Sequence, residues 1–269
     1  MWLALAAQGA RLDDVQAVPH LNEQGRAGYR QFLAAPPHRA FAIAPGGAWA
    51  WQAELPSPEA ARQAALQACQ RYTEQRCVPY AVDDTVVFDA AAWPRLWGPY
   101  LTRTEAARAP EGIRRGQRFP DLRLFDPKGR SFRLSELRGK VVVVHFWGSW
   151  CPHCVHELPD MQRAYQSLRQ ARDIRFVLVS MRETCQESRD WADVMGLDLP
   201  FYGGGADALA GKLRTADGRL LSDRELARVF PTTYVLDKHG VVVFRQHGPV
   251  ARWLELRPFL LDAAAHSGR

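Results

Sequence analysis

The second half of the chain alternates wholly apolar runs with stretches of helical periodicity. Residues 141–147, Val-Val-Val-Val-His-Phe-Trp, form a run rich in β-branched residues, the pattern of a strand covered on both faces. Residues 155–169 place apolar side chains at helical spacing. Residues 174–180 read as a second buried strand. Two more, 233–237 and 241–246, flank the turn Lys238-His239-Gly240. Residues 189–195 read as a short helix stopped by Gly196, 206–213 as a helical stretch and 253–262 as a last helix. Gly203-Gly204-Gly205 marks a loop, and 215–223 an inserted loop or hairpin. Upstream, 119–122 and 125–130 suggest a strand pair with a turn, and 134–140 a helical turn ending in glycine. Strands alternating with helices predict an α/β domain.

The first half has a different rhythm. Residues 21–33 suggest a short helix closed by Pro36-Pro37. Residues 40–44, the turn Pro45-Gly46-Gly47 and the alternation of 48–55 around Trp49 and Trp51 predict a β-hairpin. Ser57 is an N-cap candidate with Pro58 in the first turn, and an alanine-rich helix continues to about Tyr72. Residues 77–81 and 85–88 read as strands around Asp83-Asp84. This predicts a small α+β unit over 38–92. Residues 93–116 read as a linker that partly packs on a neighbour, with Trp93, Trp97 and Tyr100 as packing groups. The expected division is therefore 1–110, a small α+β domain plus linker, and 111–269, an α/β domain.

Composition adds limits. A chain of 269 residues, 47% hydrophobic and 24% charged, has material for two ordinary cores. The net charge of +6 is carried by scattered Lys and Arg, which argues against a nucleic-acid partner. No run of 18 apolar residues occurs, so no stable membrane span is expected. The apolar start, MWLALAAQGA, lacks a basic region and is short for a signal peptide. It reads either as an ordinary tail or as the end of a longer leader, with Ala4-Leu5-Ala6 resembling a cleavage site.

Five cysteines carry the candidate chemistry. Cys151 and Cys154, two residues apart, follow the 141–147 strand and open the next helix. Free N–H groups and the helix dipole favour a thiolate at such a position. Cys151 is the expected nucleophile and Cys154 the resolving thiol. His153 between them can donate toward the Cys151 sulfur, which would make the disulfide more oxidising. Glu157 is a candidate proton relay for Cys154, against an ordinary surface carboxylate. His145 on the buried strand is either a proton acceptor or a hydrogen-bonded core group. Cys69, near a helix end, and Cys77, at the next strand's start, are expected to form a structural disulfide. Cys185 is left over, as an unpaired bystander or a third redox thiol. His156 is expected in solvent, and Trp147 and Trp150 as an apolar collar. No cofactor and no metal are expected. The competing reading is a metal-binding or metallochaperone module built on Cys151, Cys154 and a nearby histidine. Haem attachment is excluded because Val155, not histidine, follows Cys154.

From about residue 116 to 261 the chain resembles the TlpA/ResA-like branch of thioredoxin-fold proteins. The resemblance is carried by Phe119-Pro120-Asp121-Leu122, by Leu134-Ser135-Glu136-Leu137-Arg138-Gly139-Lys140, by Phe146-Trp147-Gly148-Ser149-Trp150-Cys151-Pro152-His153-Cys154, by Glu157-Leu158-Pro159 and by Phe230-Pro231-Thr232-Thr233. It implies a thioredoxin-like C-terminal domain, thiol–disulfide exchange with protein cysteines, a membrane redox partner that recharges the site, and a periplasmic or otherwise extracytoplasmic location. It also implies a cis Pro231 opposite the cysteines, presenting backbone to a substrate strand. His145 departs from the pattern, since thioredoxins carry an acid at that position. The Pro152-His153 pair resembles that of DsbA, a dithiol oxidase, while the flanks resemble proteins that mostly act as reductants. The expectation leans oxidising, with a TlpA/ResA-type reductase as the alternative. An N-terminal unit that recruits a client remains compatible with either.

Overall fold

The computed structural model describes residues 11–93, 96, 100–126, 128–250 and 252–268. The leader-like start and Trp97 lie outside them. The chain forms two compact units, Met1–Trp93 and Pro94–Arg269.

The first unit wraps two helices around a small antiparallel sheet. Helix α1 (Glu23–Ala34) starts at Asn22, whose side chain accepts from Gly25 N–H at 2.8 Å. Strands β1 (Ala40–Ile43) and β2 (Trp49–Gln52) form the hairpin. Helix α2 (Pro58–Gln70) is capped by Ser57 with Pro58 in its first turn. Strands β3 (Val78–Val82) and β4 (Thr85–Val86) complete a sheet of order β2-β1-β3-β4. Alternation along β1 splits the core in two. Phe41 meets Tyr29 and Phe32 of α1, with ring centroids 4.9 and 5.7 Å apart. Ala40 and Ala42 share a cluster with Ala61, Ala65, Ala68 and Cys69 of α2. Small residues on this face let helix and sheet approach closely. Gly28 allows the same on α1, because a Cβ there would lie 2.4 Å from the Trp49 ring. Cys69 and Cys77 are joined by a disulfide, with Cα atoms 6.2 Å apart.

The second unit opens with α3 (Arg103–Arg108), closed at its start by a Thr102–Glu105 capping box. Strands β5 (Arg123–Phe125) and β6 (Ser131–Arg133) follow, then β7 (Val141–Trp147) and α4 (Pro152–Ser167). Next come β8 (Ile174–Ser180), α5 (Cys185–Val194) and β9 (Phe201–Gly203). A short insertion holds α6 (Ala206–Leu209), the hairpin β10 (Lys212–Arg214) and β11 (Leu220–Ser222), and α7 (Asp223–Leu226). Strands β12 (Thr232–Leu236) and β13 (Val242–His247), a 3₁₀ turn at Trp253–Leu256 and α8 (Arg257–His266) end the unit. The sheet order is β13-β12-β7-β8-β9-β5-β6, with β7, β8 and β9 parallel and β12 antiparallel to β7. All seven β7 residues are buried, which requires cover on both faces. Val142, Val144 and Phe146 join one core cluster with Leu124, Val177 and Tyr234. His145, on the opposite face, meets Trp253 edge-on at 5.8 Å.

Several boundaries differ from the sequence expectation. Residues 100–110, expected with the first domain, belong to the second unit. Arg118 N–H donates to Pro110 O, Gly112 N–H to Arg118 O, and Tyr100 OH to Asp262 at 2.8 Å. The helical stretch expected over 206–213 stops at Leu209, because Lys212–Arg214 pairs with Leu220–Ser222 instead. Gly203, expected in a glycine loop, instead ends strand β9, which has no apolar run of its own and exists through pairing with β8. The Thr184–Glu187 capping box starts α5 four residues before the expected Arg189. Trp147 is core rather than collar, with its ring 4.8 Å from Phe201 and 5.8 Å from Trp191. Among the described residues, no helix is long and apolar enough to cross a membrane.

Candidate active site

Strand β7 ends at Trp147, and Gly148-Ser149-Trp150 turns the chain into α4. Gly148 is needed there, since a Cβ would lie 2.2 Å from the Trp150 indole nitrogen. Cys151 is the N-cap of α4, with Pro152 at the helix start. Cys154 N–H donates to Cys151 Sγ at 3.3 Å, so the helix end places a backbone dipole on that sulfur. Both thiols are free. The Cys151 thiol faces Phe230 O at 3.6 Å, and the Phe230–Pro231 peptide is cis. Pro231 thus stands next to the residue that Cys151 touches. Cys154 is fully buried, and burial together with the neighbouring Cys151 and Glu157 pushes its thiol pKa up.

The exposed rim is aromatic and cationic. Trp150 is 44% exposed and meets Phe230 edge-on at 5.3 Å. The Arg182 guanidinium lies 5.5 Å over Trp150 and 5.7 Å over Phe230, and its nitrogens reach Asp223 at 2.6 and 2.8 Å. Arg182 adopts a left-handed backbone, φ 59°. Glu183 fixes the turn from below. Its carboxylate accepts from Ser149 N–H at 2.9 Å, from Ser149 Oγ–H at 2.5 Å and from Ser188 Oγ–H at 2.5 Å. Trp150 Nε1–H donates to Met181 O at 2.8 Å. His153 and His156 are exposed on α4. The described donor to Cys151 Sγ is the Cys154 amide, not the His153 ring.

Glu157 is buried rather than on the surface. Its Oε2 accepts from Val250 N–H at 2.9 Å and Trp253 Nε1–H at 3.0 Å. Desolvation pushes its pKa up to about 8 despite those donors. His145 is also wholly buried, and desolvation lowers its pKa to about 3. The two side chains approach to 3.5 Å. Both shifts favour neutral groups, so the contact is that of a carboxylic acid and an imidazole rather than an ion pair.

Cys151, Cys154, Glu157, His145 and Pro231 therefore converge from α4, β7 and the loop before β12, with His153 at the solvent edge. Cys185 sits apart at the start of α5, half-buried, its thiol 3.8 Å from Phe201 O. Arg182, Glu183, Asp223 and Trp253 were not singled out in the sequence. The bonds that tie them into the site span 34 to 96 positions. No local pattern marks them.

A dithiol at a helix N-terminus, opposite a proline loop and beside a mixed sheet with parallel centre, defines a thioredoxin-fold redox domain. The sequence comparisons agree. The AhpC/TSA family profile matches residues 115–245. The thioredoxin-like protein YneN of Bacillus subtilis is 29% identical over 147 residues, covering 54% of this chain and 77% of YneN. The thiol-disulfide oxidoreductase ResA of Geobacillus thermodenitrificans is 30% identical over 127 residues, covering 47% of this chain and 66% of ResA. A thiol:disulfide interchange protein of Chlorobium tepidum aligns with TM-score 0.40 and 22% identity over 55% of this chain and 95% of its own. This chain carries a TlpA/ResA-like thiol–disulfide oxidoreductase domain in its second unit.

Proposed function

We propose that the chain exchanges disulfides with protein cysteines through Cys151 and Cys154, outside the cytoplasm. The observation that supports this best is Cys151 at the N-cap of α4, receiving the Cys154 amide at 3.3 Å while facing Phe230 O beside Pro231. The Cys151 thiolate attacks one sulfur of a client disulfide. That S–S bond breaks, a Cys151–client bond forms, and the other client sulfur leaves as a thiolate. Cys154 gives its proton to Glu157 when that residue is in its carboxylate form, and attacks the Cys151 sulfur. The products are a Cys151–Cys154 disulfide and a reduced client. Run backwards, the same steps oxidise a client dithiol. The exposed Trp150 and Phe230 edges and the backbone beside Pro231 supply the surface on which an extended client segment would lie.

The direction of flow leans oxidising, on the Pro152-His153 pair alone. An imidazole on the exposed first turn of α4 supports the reduced side of the couple at Cys151, which makes the disulfide a stronger oxidant. The TlpA/ResA-like framework favours the alternative, a reductase. A periplasmic setting is supported by the Cys69–Cys77 disulfide, because such staples persist in oxidising compartments. A membrane redox partner would recharge the site. Equilibration of the Cys151–Cys154 couple against glutathione tests the direction. A potential well above that of thioredoxin, about −270 mV, is expected; a value at or below it would assign the reductase.

A further inference from the structure

Glu157 Oε1 and His145 Nε2 face each other at 3.5 Å inside the second unit, and neither has another hydrogen-bond partner among the described residues. The remaining polar atoms of both side chains are engaged. Glu157 Oε2 takes the Val250 and Trp253 N–H groups, and His145 Nδ1 lies 2.9 Å from Thr233 Oγ1. The segments that meet here are α4, which carries the cysteines, β7, β12, which follows Pro231, and the stretch before α8. Two buried acceptors or two buried donors left facing each other would each lose the free energy of a hydrogen bond to water. The contact is therefore satisfied only when a single hydrogen lies between Oε1 and Nε2.

The other titratable neighbours are few. Cys154 precedes Glu157 by one turn of α4. Asp160 follows by one turn, accepts from Trp253 N–H at 2.7 Å and pairs with Arg163 at 2.9 Å. Arg252, in the stretch before α8, pairs with Glu255. Thr233 and Trp253 do not ionise in the working range. Among the described residues, the imidazole in direct reach of the carboxyl is that of His145.

We propose that His145 is the positioning residue for the proton that Glu157 exchanges with Cys154, serving as acceptor to the carboxylic acid and as donor to the carboxylate. The proposal rests on the reading of Cys154 as the resolving thiol. In the acid form Glu157 Oε1–H donates to Nε2, and the ring's own hydrogen sits on Nδ1 and points to Thr233 Oγ1. In the carboxylate form that hydrogen sits on Nε2 and points to Oε1, and the Thr233 hydroxyl donates to Nδ1. The imidazole carries one hydrogen in both forms and stays neutral. The net proton gained by the Glu157–His145 pair is the one lost by Cys154. The resulting Cys154 thiolate displaces the client thiolate from Cys151, so the client sulfur is reduced as the Cys151–Cys154 bond forms. An aspartate at position 145 could not play both parts without itself changing charge.

Resolution is measured by mixing the reduced full-length protein with a disulfide-linked peptide and following thiol release by acid quench from pH 5 to 9. The wild-type rate is expected to rise through an inflection near the Glu157 value of about 8. Glu157→Gln should remove the inflection. His145→Leu, which cannot donate to the carboxylate, should move it up by at least one pH unit, slowing resolution about tenfold at neutral pH. His145→Gln, whose amide can accept or donate, should keep it within half a unit. An unchanged profile in His145→Leu, or equal shifts in the leucine and glutamine variants, would overturn the proposal. Nitrogen-15 NMR of the wild-type imidazole needs no variant to fold. The hydrogen is expected to move from Nδ1 to Nε2 across the Glu157 titration, without imidazolium; one fixed tautomer would also overturn it. A tautomer change in a protein without exchange activity would instead defeat the reading of Cys154 as resolving thiol.

Discussion

The two cysteine pairs occupy opposite ends of helices. Cys69 lies in the last turn of α2, and its bond to Cys77 closes a loop already knitted by Gln70. The Gln70 amide donates to Thr73 O and Gln75 O at 2.8 Å and accepts from Cys77 N–H at 3.3 Å. Cys151 caps the first turn of α4 and faces an aromatic rim. At the first place the helix end presents carbonyls, which offer a sulfur no donor; at the second the Cys154 amide donates to Cys151 Sγ. The same residue type is thus a staple in one unit and a candidate nucleophile in the other. Which end of a helix presents the sulfur, and whether a client can reach it, makes the difference.

The strongest test of that contrast is activity. Cys151→Ser should reduce turnover of a disulfide-linked peptide on the order of 10³-fold or more. Cys69→Ala with Cys77→Ala should leave it within about twofold, because the staple touches no reacting atom. A comparable loss in the double variant would erase the distinction. Stability should respond the other way. The double variant should lose about 2–3 kcal/mol in the chain-entropy model for so short a loop, read from the denaturant transition of the first unit.

A pH series sharpens the second half of the comparison. Glu157 is held protonated up to about 8 in the fold, against 4.5 unfolded, so its contribution to stability falls as pH rises from 4.5 to 8. His145 is held neutral down to about 3, against 6.5 unfolded, so its contribution rises from pH 3 to 6.5. The slopes oppose each other between 4.5 and 6.5. Above 6.5 only the fall remains, and Glu157→Gln should flatten it. A second unit whose melting temperature is level from pH 6.5 to 8 would contradict the buried acid. The smallest effect expected is that of Glu183→Gln. It keeps the shape of the side chain but weakens the acceptor for Ser149, at a cost of about 1–2 kcal/mol. Trp150 fluorescence would report the loosened turn.

Much of the redox strand–helix junction was legible because its determinants are contiguous. A β-branched run, a glycine turn and a proline at a helix start each act within a few residues. Cys69 and Cys77 were legible for the same reason, since only eight positions separate them. The insertion was harder. Phe201-Tyr202-Gly203 becomes a strand by bonding to β8, and 212–214 leaves the helix by bonding to 220–222. Such pairings repay backbone groups that a local pattern cannot count. Glu157 and His145 were each marked as candidates, one for relay and one for either relay or core. Their meeting was not visible, nor was the Glu183 hold on Ser149 across 34 positions.

The sequence by itself determined where the chain would alternate strand and helix, where two thiols would open a helix, and which cysteines lay near enough to pair. Those outcomes depend on local geometry and on short chain separations. Only the tertiary structure decided which buried polar atoms face each other. Trp253 is brought 96 positions back to Glu157, and Thr233 88 positions back to His145. Proton affinity inside a protein depends on lost water and on the partners that replace it. Both are properties of the packed interior, so the charge of Glu157 and the tautomer of His145 exist as chemical facts only once the sheet and its helices have closed around them.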